Sequence, residues 1–331
     1  MSVKARFLFQ IMAVIAFAGC TNADDNDDVV IDGMVRVTAG DSYVFVVESM
    51  DMEERQANVD IMLEFAVDFE EMFGMAPTPY TFILYDTDDI HWFKDAVKFQ
   101  QPGTQWTFGF GSVTFFDETY KAYLAELAKD YPDQDLGAGA DYEFNYETFR
   151  PIVKHELTHF ALYNTLYSGD DVPLDWSTSA PYHGDPIPDA LDDGMADYLT
   201  TEAHRQSRRD VFQQHKEAGF EFLPLAELFE VKNIWHKKKN TDKIEGIETE
   251  IPGVAPEEIQ YNHVLMYNQG FMVFEFIFEL GGMEFFRHMI AGYKEYKDMD
   301  QILAEYGGKG GMPTSLADLD RLWWESLEAT E

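Results

Sequence analysis

The strand signals of this sequence end at about residue 118, and helical patterns dominate from there to its last residues. A chain patterned this way predicts an α+β fold, with a small N-terminal α/β sheet lobe followed by a mainly helical one. Residues 35–38 and 43–47 read as two strands around the turn-like Ala39-Gly40-Asp41-Ser42. Residues 54–74 carry Val59, Met62, Leu63, Phe65, Ala66, Phe69 and Phe73 at helical spacing, and the pattern stops at Gly74. Pro77 and Pro79 break the chain before a compact β-rich run at 80–85. A short helix is expected over 88–98, and one or two more strands over 105–117.

In the helical half, Ser315-Leu316-Ala317-Asp318 has capping-box spacing ahead of a last helix with Trp323 and Trp324. The apolar run 264–280 is interrupted by Asn268, Gln269, Glu275 and Glu279, so it predicts a buried core helix and not a membrane span. Residues 232–260 mix the basic His236-Lys237-Lys238-Lys239 with Gly and Pro and read as a surface insertion. The expected division is a sheet lobe over 34–125 and a helical lobe over 126–331. A hydrophobic content of 46% is enough to fold such a chain. The net charge of −37, from 61 acidic and 24 basic side chains, repels polyphosphate and argues against nucleic-acid binding. The same surface suits high salt as well as ordinary solvation.

The first 20 residues have the pattern of an export signal: Lys4 and Arg6, an apolar stretch over 7–18, then Phe17-Ala18-Gly19-Cys20. The apolar stretch is short for a spanning helix. Its end resembles the lipobox of bacterial lipoproteins, although Phe17 stands where Leu is usual. That resemblance implies lipidation of Cys20 after cleavage; an ordinary cleaved signal peptide or a short membrane anchor is the alternative. Cys20 is the only cysteine, so the chain can form no internal disulfide and no thiolate metal site. Residues 21–33 are acidic and patternless, as a tether would be. Thr21 lacks the aspartate that often retains lipoproteins at the inner membrane. The expected location is therefore the cell envelope, lipid-anchored at the outer membrane and facing the periplasm or the exterior.

The sharpest chemical signal is His155-Glu156-Leu157-Thr158-His159, an HExxH motif. On a helix, residues i and i+4 share a face, so the two imidazoles can bind one metal ion. Glu156 follows the first of them and can act as general base toward a water at that metal. Phe149, Ile152, Val153, Leu157, Phe160 and Ala161 give the segment an apolar stripe, and Ser168-Gly169 is the expected end of the helix. With 9 histidines in 331 residues, the motif arises by chance in roughly a few per cent of shuffled chains.

A catalytic zinc site needs a third protein ligand. Downstream lies Ile187-Pro188-Asp189-Ala190-Leu191-Asp192-Asp193-Gly194-Met195-Ala196-Asp197-Tyr198-Leu199. The two motifs together resemble gluzincin-type zinc peptidases, most closely the peptidase MA-like proteins. Their second helix reads approximately Pro-x-Trp-Leu-x-Glu-Gly-x-Ala-x-Tyr, with the Glu as third zinc ligand. Pro188, Leu191, Gly194, Ala196 and Tyr198 fit that frame, and Asp193 falls on the ligand position. Asp197 falls where relatives often place a carboxylate that steadies a zinc-bound histidine. Ala190 replaces the aromatic residue, and Asp193 is one methylene shorter than the usual Glu. Aspartate does serve as third ligand in the aspzincins. Asp192, one helical step round, is the rival ligand, and a solvated face carrying both aspartates is the plainer alternative in so acidic a chain.

The resemblance extends in layout over about residues 35–328, through Phe222-Leu223-Pro224-Leu225, Tyr267-Asn268-Gln269-Gly270 and the closing helices; only the two zinc-helix motifs are specific. It implies a zincin-type catalytic lobe that binds Zn2+ and hydrolyses peptide or protein substrates, with Tyr267 or His263 as candidate donor to the transition-state oxyanion. The strand around 108–113 could add a peptide substrate at its edge. A non-catalytic envelope lipoprotein on the same scaffold is the competing expectation, supported by the Asp at position 193. A metal-dependent hydrolase of something other than peptides is the third.

Overall fold

The computed structural model describes residues 30–85, 101–118, 121, 145–166, 187–231, 261–309 and 311–328. Cys20 and the export signal, the helix expected at 88–98, the boundary at 125, Ser168-Gly169 and the insertion at 232–260 lie outside them. Packing begins slightly earlier than the tether reading expects, because Ile31 is already buried. The fold is α+β: the described residues form a four-stranded sheet and then helices. The chain forms two compact units, residues 1–67 with 77–160, and residues 68–76 with 161–331. The chain changes unit within two long helices, at residues 68 and 161.

In the first unit, β1 (Met34–Ala39) and β2 (Ser42–Val47) pair antiparallel, with Ala39 opposite Ser42. The two-residue turn between them places Gly40 at φ +61°, a conformation that favours glycine. Helix α1 (Met52–Phe73) opens on a reciprocal cap: Asp51 Oδ1 accepts the Glu54 N–H, and Glu54 Oε2 accepts the Asp51 N–H. It is the crossover that lets β3 (Tyr80–Tyr85) lie parallel to β2. Strand β4 (Trp106–Gly111) then runs parallel to β3, with Tyr80 opposite Trp106. All twelve residues of β3 and β4 are buried, as near-continuous apolar parallel strands require.

Of the one or two strands expected over 105–117, the structure has one, shorter than that span. It stops at Gly111, and residues 113–118 are helical. Ser112 is the reason: its hydroxyl accepts the Phe115 N–H and its carbonyl accepts the Phe116 N–H, so it starts a helix. Helix α2 (Tyr146–Leu166) carries the HExxH motif. Asn145 caps it, accepting the N–H groups of Glu147 and Thr148 on its side chain. Phe160 packs on Phe108 with ring centres 4.7 Å apart, and Phe149 packs between Phe110 and Phe116. The sheet thereby fixes the rotation of α2 about its axis.

In the second unit, α3 (Asp189–Tyr198) and α4 (Glu202–Glu217) precede the single turn α5 (Leu225–Leu228). The run 264–280 is buried as expected, but its first turn, Val264–Gln269, is a π-helix. There the Gly270 N–H reaches back five residues to Leu265 O. Helix α6 (Gly270–Lys294) follows and breaks at Gly282, where φ is +63°. Helices α7 (Met299–Tyr306) and α8 (Leu316–Glu328) close the unit. Ser315 accepts the Asp318 N–H as its spacing predicts, and a full capping box stands at Asp298 and Gln301. Among the described residues no strand follows Gly111, and no helix is long and apolar enough to cross a membrane.

Helix α3 meets the π turn and α6 without side chains between them. A Cβ on Gly270 would stand 2.3 Å from Ala190 O, and one on Gly194 would stand 2.7 Å from Gly270 O. Backbone thus lies on backbone at the point where Asp193 leaves α3. Gln269 adds a second clamp, since its amide exchanges two hydrogen bonds with the Leu223 backbone.

Candidate metal centre

His155 and His159 follow one another by a single turn of α2, and both are buried. Their Nε2 atoms lie 3.1 Å apart, and the rings stand nearly perpendicular, at 83°. Asp193 contributes a carboxylate from α3 and is fully buried. One ligand atom from each of the three residues lies within 4.8 Å of the others. This buried group could hold a metal ion.

The donor set fits the ion expected from the sequence. Two imidazoles and one carboxylate are the borderline nitrogen and oxygen donors that zinc takes, and they leave a fourth position open. Zinc–nitrogen bonds of about 2.0–2.1 Å separate two nitrogens of a tetrahedron by about 3.3–3.4 Å. The 3.1 Å between the two Nε2 atoms is close to that edge. Of the two aspartates weighed as third ligand, the geometry selects Asp193. Neither lies on a solvated face, because Asp189, Asp192, Asp193 and Asp197 are all buried. Glu156, the candidate base, is buried beside His155.

Asp197 sits one turn beyond Asp193 on α3 and is fully buried. Arg208 of α4 meets it side-on, with Nε 2.6 Å from Oδ2 and Nη2 donating to Oδ1 at 3.2 Å. His204 Nε2 lies 3.1 Å from Oδ1. Sequence reading singled out neither Arg208 nor His204. A buried arginine partner eleven residues away on another helix has no local signature; the only hint is the Thr201 cap that starts α4 and sets which way its side chains face.

Tyr267 and His263 occupy the π turn and the residue before it, with ring centres 5.5 Å apart. The Arg208 guanidinium lies over the Tyr267 ring, 5.2 Å from its centre. Burial pushes the His263 pKa down to about 4, opposed by the pull of the Asp193 charge and helped by a smaller push from Arg208. The ring is therefore neutral near pH 7. Both candidate oxyanion donors thus share the second unit with Asp193, and His263 feels that carboxylate's charge. No protein-family model, no curated protein and no solved structure matches the chain, so the site's geometry carries the functional reading.

Proposed function

We propose that the chain is a zinc-dependent metallopeptidase held on the cell envelope by a lipid at Cys20. The buried His155, His159 and Asp193 group beside Glu156 carries this reading. Zinc bound there would supply a Lewis acid for the scissile carbonyl and lower the pKa of a water. The chain's own residues do the rest. His155 and His159 present neutral imidazoles, and Asp193 contributes the one negative charge among the three. Glu156 takes the proton of the attacking water and passes it to the leaving amine. Tyr267 donates to the developing oxyanion. Asp197 steadies the ligand helix. The acidic surface favours peptide substrates over nucleic acid.

The experiment is a comparison of wild type with Glu156→Gln, which keeps the side chain's shape and removes the base. Zinc content and melting temperature are expected to match. Cleavage of a mixed peptide library is expected to fall about 10²–10⁴-fold. Equal cleavage by both zinc-loaded proteins would refute the mechanism. A wild type that binds zinc and cleaves no peptide would favour the non-catalytic scaffold, for which the shorter ligand Asp193 is the supporting observation.

A further inference from the structure

We infer that Arg208 is a positioning residue for the metal group, acting on Asp193 through Asp197 and on the π turn through Tyr267. The inference rests on the metal reading above. Three observations carry it. Arg208 is buried, and its planar fork meets both oxygens of the fully buried Asp197. Residues four apart on a helix stack on one face, so the pinned carboxylate lies directly along α3 from the ligand Asp193. The guanidinium also lies over the ring of Tyr267, on a turn whose neighbouring Gly270 touches the backbone of α3. One side chain from α4 therefore fixes both the rotation of α3 about its axis and the place of the π turn against it.

A carboxylate ligand on a helix is aimed by that helix's rotation. A change of a few degrees moves its oxygen by tenths of an ångström, and metal bonds tolerate deviations of only about 0.2 Å. The shorter Asp193 makes this stricter, since aspartate has one fewer torsion with which to correct its aim. Arginine suits the task where lysine does not. Its fork engages two oxygens at once and its flat face lies on an aromatic ring, whereas an ammonium is a point charge on a flexible stem.

Neighbouring Arg209 supplies the matched comparison. It makes a similar side-on pair with Glu275, through Nε at 3.0 Å and Nη2 at 2.6 Å, and reaches Glu202 as well. Arg208→Lys and Arg209→Lys each turn a forked ion pair into a single contact while keeping the charge. Arg208→Ala is avoided because it would strand a buried Asp197 charge and unfold the region. The full-length protein is titrated with zinc against a chromophoric chelator, and its cobalt(II) form is read by visible absorption. Arg208→Lys is expected to weaken metal binding about 10–100-fold, the usual effect of losing an outer partner, and to alter the cobalt bands. Arg209→Lys is expected to bind within about two-fold of wild type at a similar loss of melting temperature. If wild type binds metal and the two variants are equally affected, or equally unaffected, Arg208 does not position the group and the inference falls alone. A wild type that binds neither metal overturns the metal reading, and this inference with it.

Discussion

Replacing Gly270 with alanine tests the helix contact that presents Asp193. The backbone there is helical, so alanine would by itself favour the helix by about 1 kcal/mol. The space argues the other way. The new Cβ would meet Ala190 O at 2.3 Å, Ala190 C at 3.0 Å and Ala190 Cα at 3.2 Å. All three are backbone atoms, so no rotamer change relieves them. Restoring an ordinary contact of about 3.5 Å moves the two segments apart by about 1 Å. Overpacking of this kind costs about 1–3 kcal/mol, and the rigid partner places this site at the upper end. The net expectation is a loss of about 2 kcal/mol after the propensity gain. The displacement carries Asp193 with α3, so zinc affinity should fall together with stability. Gly219 is the control: its φ is +75° and nothing lies within 4 Å of its Cβ position, so alanine there costs only backbone strain of about 1 kcal/mol. Denaturation midpoints and zinc competition on the three proteins decide the matter. If Gly270→Ala unfolds no earlier than wild type and binds zinc as tightly, the close contact is not what holds α3 in place.

His159→Ala should abolish stoichiometric zinc by elemental analysis, and Asp193→Glu should keep or raise zinc affinity if reach limits the aspartate; equal zinc in wild type and His159→Ala would end the ligand assignment. Cys20→Ser should release the mature protein from the membrane fraction, and a correctly cleaved variant that stays bound would remove the lipid anchor from the proposal.

The parts of the fold legible in the sequence are those with local causes. The spacing of Val59, Phe65, Phe69 and Phe73 fixes α1, and the turn at Gly40 fixes the first hairpin. The i, i+4 histidines and the frame around Asp193 point to the same three side chains that converge in space. Three features were not legible. Ser112 ends a strand because its hydroxyl takes an N–H three residues on, a competition that a run of aromatic residues on either side conceals. The π turn has no sequence signature, since a five-residue hydrogen bond uses the same residue types as a four-residue one. The Arg208–Asp197 pair joins two helices, and only their packing brings it about.

Among the described residues, the order of strands in the sheet is the order of strands in the chain. Each strand is therefore laid beside the one before it, and none has to be threaded between two already paired. A chain that is made N-terminus first can build such a sheet in the order in which its segments appear. The local hairpin of β1 and β2 offers the first edge. The slow steps are then the two parallel additions, each of which waits for its crossover to form. The histidine-bearing α2, which packs on β4, can take its place only after the last of them. Metal capture by this chain would then report the completion of its sheet.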